Sequence, residues 1–212
     1  MSSHKPSSQS KKGLKNIDRN VWILGLVSLF TDFGTKAIQS ILPLFLVSIL
    51  GANVSIIGLI EGIAESTASI LKLFSGALSD YWGRRKELAI LGYGLSTAII
   101  PLFALANSPI WVLMARFGDR LGKGIRVAPR NALVADVTPI EQRGAAYGLR
   151  QTLDTIGAFS GPLAATLILL ISGQNFRLVF WVALVSGIIS VCLLVKGIQE
   201  TPSSQEKRII AG

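Results

Sequence analysis

Thirteen ionisable side chains sit inside stretches of this 212-residue chain that are otherwise apolar. Eight are basic (Lys36, Lys72, Arg116, Arg120, Lys123, Arg126, Arg130, Arg150) and five acidic (Asp32, Glu61, Glu65, Asp119, Asp154). Their spacing recurs: Asp32/Lys36 and Asp119/Lys123 read D-x-x-x-K, and Arg150/Asp154 reads the reverse. On a helix, a spacing of four puts both members of a pair on one face, within ion-pair reach. Two compatible chemistries follow. A self-neutralised pair lets charge enter an apolar medium. A pair that changes partners can carry a proton, because a carboxylate whose basic neighbour is drawn away binds a proton more readily. Asp32, Asp119 and Asp154 are therefore proton-carrier candidates. Once the three pairs are set aside, five basic residues face only Glu61 and Glu65, a balance that suits an anionic or zwitterionic solute.

The elements that hold these charges are membrane helices. Half of the chain is hydrophobic, 16% is charged, and the mean hydropathy is +0.53. Such a composition excludes a disordered chain. A single Cys excludes an internal disulfide framework. Residues 37–60, 88–106, 155–176 and 178–195 carry no charge at all, and about 20 mostly apolar residues suffice to cross a bilayer. Six spans are predicted, at 21–49, 55–78, 87–106, 109–136, 143–172 and 176–196. Residues 1–20 read as a disordered tail and 197–212 as a second polar tail. A secretory signal is the rival reading of residues 21–30, but no A-x-A-like cleavage site follows.

The basic residues outside the spans or at their ends give orientation. Twelve of them fall on one side, in the N-terminal tail, the 2–3 and 4–5 connections and the C-terminal tail, whereas Arg177 stands alone on the other. The positive-inside rule then puts both termini in the cytoplasm, in a multi-pass protein of the inner or plasma membrane. The net charge of +9 thus reflects topology rather than a nucleic-acid partner.

Charges near mid-span cost about 2.5–3.5 kcal/mol each if they face lipid, so they must face a bundle interior, an aqueous path or one another. In the fourth helix all six charges fall within an arc of about 120°, opposite Met114, Phe117, Leu121 and Ile125. That stripe is expected to line an aqueous path. Arg126 and Arg130, nearer the helix end, fit snorkelling equally well. The expected path comprises Asp32, Lys36, Gln39, Arg116, Asp119, Arg120, Lys123, Arg150 and Asp154.

Gly76-Ala-Leu-Ser-Asp80-Tyr81-Trp82-Gly83-Arg84-Arg85, between the second and third helices, resembles the major facilitator superfamily signature G-x-x-x-D-[RK]-x-G-[RK]-[RK]. Tyr81 stands where that pattern has a basic residue. Gly83 allows a tight turn. Asp80 lies at a helix C-terminal end, where it opposes the dipole and needs a partner; Arg84 is expected to pair with Asp136 or Glu141. Arg116, Gly122 and Gly124 are similar to the family's fourth-helix pattern. Gly157, Gly161 and Pro162 resemble the first part of its G-x-x-x-G-P exporter element, although G-x-x-x-G also serves close helix packing. The resemblance implies an all-α fold: six transmembrane helices as two inverted three-helix repeats, half of a twelve-helix transporter. It implies gating through Gly76, Asp80, Gly83, Arg84, Arg85, Asp136 and Glu141. It also implies solute binding between two halves, with proton-coupled export of a small organic solute as the leading mode.

The expected partners are therefore the lipid bilayer, a solute and protons, and a second six-helix half or a homodimer mate. A truncated or scaffold protein without transport of its own is the alternative. No cofactor and no metal are expected, and an enzyme is not. His4 lies in the tail, Cys192 has no His near it, and the chain has no G-x-x-x-x-G-K-[ST] phosphate loop.

Overall fold

A computed structural model of the chain describes residues 17–82 and 84–198, without the side chains of Leu73 and residues 76–82. Six α-helices account for nearly all of it: α1 (Arg19–Ser48), α2 (Val54–Trp82), α3 (Arg85–Ala104), α4 (Pro109–Asp136), α5 (Arg143–Ile171) and α6 (Phe176–Gly197). One short 3-10 turn, Ile140–Gln142, leads into α5. The architecture is all-α.

Helix ends follow local chemistry. Asp18 accepts the backbone N–H of Asn20 at 2.7 Å and caps α1, so that helix starts two residues earlier than the expected tail boundary. Asn175 caps α6 through Leu178 N–H. Pro109 opens α4 at a position that has no intrahelical partner for its missing N–H. Gly51, at φ of 63°, supplies the left-handed residue of the turn that follows α1, and Gly173 and Gln174, at 64° and 66°, are the left-handed pair of the turn that follows α5. The helix α2 runs four residues further than expected, to Trp82, and so carries Gly76 and Asp80 within it.

Five of the six helices are long and apolar enough to cross a membrane; α4 is the exception because of its charges. The neighbour pattern carries the internal repeat. The helix α1 packs on α5 and α6, α4 packs on α2 and α3, and α3 meets α6. Exchanging α1–α3 with α4–α6 maps each of these contacts onto another, as two related three-helix units require.

Lipid tails are as apolar as leucine, so helix association within a bilayer rests on close approach and polar contacts. Methyl groups at Gly157 and Gly161 would collide with the carbonyl oxygens of Leu29 and Phe33, which places the G-x-x-x-G of α5 flat against the α1 backbone. Gly92 and Gly122 bring α3 and α4 together in the same way. Between α1 and α6, Ser190 Oγ lies 2.6 Å from Thr31 Oγ1 and 3.0 Å from the Val27 carbonyl. An aromatic cluster of Phe45, Phe103, Phe176 and Phe180 fills one end of the bundle, with the Phe45 and Phe180 rings edge to face at 5.2 Å. Val21, Leu24, Ala89, Tyr93 and Leu194 fill the other.

Candidate functional site

The amphipathic α4 is turned inside out. Met114 (58% exposed) and Phe117 (43%) look outward, whereas Arg116, Arg120 and Arg126 are 2–3% exposed. Gly118, Gly122 and Gly124 let α2 and α3 close over its flanks, so the charged stripe lies between helices rather than in lipid.

Two cavities border that stripe. One, of about 320 Å³, lies between α1, α4 and α5 and is lined by Asp32, Lys36, Lys123, Arg126, Arg130 and Asp154, among others. The second, of about 300 Å³, lies between α1, α2 and α4 and is lined by Lys36, Gln39, Glu61, Glu65, Arg116, Arg120 and Lys123 together with Pro43. Lys36 and Lys123 belong to both linings, which makes one polar trough running along α4.

Seven of the nine expected path residues thus come together: Asp32, Lys36, Gln39, Arg116, Arg120, Lys123 and Asp154. The other two do not join the trough. Asp119 turns to a cavity of about 20 Å³ among α1, α3, α4 and α6, room for about one water, where Arg116, Thr31 and Ser96 also sit. Arg150 is 8% exposed and its Nη2 donates to Gln151 Oε1 at 3.3 Å, while Nε and Nη1 are buried without a hydrogen-bond partner.

The expected pairing differs more. None of the three i,i+4 pairs forms an ion pair within 4.0 Å among the described residues. Charges pair between helices instead. Arg116 Nη2 bonds Glu61 Oε2 of α2, Arg120 Nη1 lies 3.7 Å from Glu65 Oε2, and Arg130 Nη1 lies 4.0 Å from Asp154 Oδ1 of α5. Arg126 donates to Ser96 Oγ at 2.7 Å and stacks 4.7 Å above the Tyr93 ring. Lys36 Nζ donates to Gln39 Oε1 at 3.1 Å. Asp32 stands beside Asp154, near Arg126 and Arg130. The reason is burial. A surface i,i+4 pair is worth only about 0.3–0.5 kcal/mol, whereas a guanidinium enclosed by three helices must find its acceptor among the side chains those helices present. Glu61, Glu65, Arg126 and Arg130 therefore belong to the site, although spacing within single helices left them outside it. The signal was there in part: Glu61 and Glu65 also stand four apart, which puts them on one face of α2.

At the end of the bundle where α2 meets α3, the expected partner of Arg84 is corrected. Arg84 pairs with Glu87 on its own helix turn at 3.1 Å, and it is Arg85 that pairs with Asp136 at the end of α4. Glu141 is exposed in the turn before α5. Arg143 Nη2 donates to the Ala135 carbonyl and Lys86 Nζ to that of Ile198, cations at helix C-terminal ends. Gly83 and the side chain of Asp80 lie outside the described residues, as does any contact made by Gly76.

A six-helix bundle of two related three-helix units, with a charged trough on one face, defines a membrane-transporter fold. Residues 24–211 match the Major Facilitator Superfamily, and the chain belongs to that family. It is 31% identical over 195 residues to an uncharacterized MFS-type transporter of Methanocaldococcus jannaschii, covering 92% of this chain and 48% of that protein. It is 29% identical over 171 residues to the multidrug resistance protein MdtH of Yersinia enterocolitica, covering 80% and 41%. Among solved structures, a proton-dependent oligopeptide transporter superposes with a TM-score of 0.75 at 16% identity, covering 91% of this chain and 46% of that one, a likeness of fold. The chain spans about half the length of the curated relatives it matches.

Proposed function

We propose that the bundle is the N-terminal six-helix half of a secondary active transporter, which exports a small organic solute in exchange for protons. The observation that carries this reading is the trough itself: six cations and four carboxylates lining connected space along α4. Charge is costly within a bilayer, and a solute path between two halves gives it a use. A second six-helix unit would cover the trough and complete the site. The sequence similarity to multidrug resistance proteins favours export. The protein would lie in the inner or plasma membrane with both termini cytoplasmic, as the placement of its basic residues favours.

Asp32 and Asp154 are the proton carriers this reading favours. The two carboxylates stand side by side, one from α1 and one from α5, and line the same cavity. The test uses everted vesicles from cells that produce the natural protein, with carboxyfluorescein and ethidium as anionic and cationic probes. An imposed pH gradient should drive accumulation of at least one dye, and a protonophore should abolish it. Asp32→Asn and Asp154→Asn should flatten the pH dependence. Absence of gradient-driven accumulation refutes transport. Unchanged pH dependence in Asp32→Asn, Asp119→Asn and Asp154→Asn alike refutes the proton role.

A further inference from the structure

We infer that Lys36 and Lys123 form the docking point for an anionic group, a carboxylate or a phosphate, on the solute. The inference rests on the transport reading and narrows it to a substrate class. It comes from how the charges of the trough are already engaged. Arg116, Arg120 and Arg130 each face a carboxylate of another helix. Arg126 is held by the Ser96 hydroxyl and the Tyr93 ring. The two lysines are left over. Lys36 Nζ bonds only a neutral amide oxygen, that of Gln39. Lys123 Nζ has no hydrogen bond and no ion pair within 4.0 Å among the described residues. The remaining carboxylate, Asp32, stands beside Asp154 with Arg126 and Arg130 near it, and it reaches Lys123 only through space, with no ion pair within 4.0 Å among the described residues.

Position sharpens the inference. Lys36 and Lys123 are the two residues shared by both cavities, so the surplus charge sits where the trough is continuous. An ammonium held in partly buried space without a directly paired counter-charge is unfavourable, and an incoming anion relieves that cost. A cationic solute would meet the same two charges as a barrier. Lysine also suits this role, because its compact charge on a flexible stem accepts anions of varied geometry.

The test measures binding, apart from transport, on the natural protein purified in a neutral detergent. The readouts are intrinsic tryptophan fluorescence and thermal unfolding midpoint. The probes are succinate, inorganic phosphate, the uncharged isostere succinamide, and micelles doped with phosphatidylglycerol. Succinate and phosphate should bind and raise the midpoint, and succinamide should not. Lys36→Gln/Lys123→Gln should weaken anion binding roughly tenfold or more, the loss expected for a charge-assisted hydrogen bond, and Lys123→Arg should retain it. The unfolding midpoint without ligand shows that each variant is folded. Failure of both soluble anions to bind, equal binding of succinamide, or unchanged binding in the double variant overturns the inference. Response to phosphatidylglycerol alone overturns it in favour of a lipid site. Gradient-driven dye transport without anion binding sinks this inference and leaves the transport reading standing. Anion binding without gradient-driven transport does the reverse.

Discussion

Replacing Gly161 by Ala tests the contact that sets the width of the bundle. A methyl carbon there would collide with the Phe33 carbonyl oxygen and lie 3.0 Å from the Ala37 nitrogen, where ordinary contact begins at 3.4 Å. Both obstacles are backbone atoms of α1 and cannot rotate aside. The helices must separate instead, along the most extensive interface in the bundle. Overpacking of this kind costs about 1–3 kcal/mol. Alanine also favours a helix over glycine by about 1 kcal/mol, which would mask part of the effect. Gly148 supplies the correction: it lies on the same helix and a Cβ there meets nothing within 4 Å. Gly148→Ala therefore carries the propensity gain alone, and the difference between the two variants isolates the packing cost. We expect Gly161→Ala to be less stable than Gly148→Ala by about 1–3 kcal/mol. The assay is reversible denaturation in mixed micelles with increasing sodium dodecyl sulfate, followed by fluorescence of the four tryptophans. Equal stability of the two variants, within about 0.5 kcal/mol, would show that α1 and α5 do not meet at these glycines.

Further outcomes follow from the same geometry. Glu61→Gln should destabilise the protein by about 1–3 kcal/mol, because it leaves the buried Arg116 guanidinium without its carboxylate; the double variant Glu61→Gln/Arg116→Met should recover most of that loss in the same denaturation assay. Asp136→Asn should loosen the junction that Arg85 makes between α3 and α4, seen as faster hydrogen exchange at the start of α3 with little change at the Phe45–Phe180 end. With Cys192 replaced by Ala, single cysteines at Asn53, Asn107 and Gln174 should react with an impermeant maleimide in intact cells. A cysteine at Arg143 should react only after permeabilisation, and the opposite pattern would invert the topology.

Much of the fold was legible because a bilayer permits few solutions. Backbone polar groups must be satisfied within each span, so apolar runs bounded by polar connections translate into helices. The expected boundaries fall within a few residues of the observed ones, and the fourth span begins and ends where expected, at Pro109 and Asp136. The exceptions have local causes. Asp18 caps α1 early, and α2 continues to Trp82 because nothing in Gly76–Trp82 breaks a helix. The charged arc of α4 was legible too, since helical periodicity alone groups those six residues.

Partnership was not legible in the same way. Periodicity shows which charges share a helix face, and so it suggested Asp32 with Lys36, Asp119 with Lys123 and Arg150 with Asp154. Which acid reaches which base depends on which helix lies alongside, at what height and rotation, and that is set by close approach at Gly92, Gly122, Gly157 and Gly161. The glycines pull α1 onto α5 and α3 onto α4. That packing sends Asp119 to a separate small cavity and buries Arg150 away from the trough, while the approach of Leu71 to Gly124 sets α2 on α4 and brings Glu61 and Glu65 to its arginines. Composition and spacing by themselves determined six membrane helices with a charged stripe, because bilayer thickness and helical pitch are properties of one element at a time. Only the tertiary structure decided that Lys36 and Lys123 are the charges left over, because a surplus is defined by every other pairing in the site.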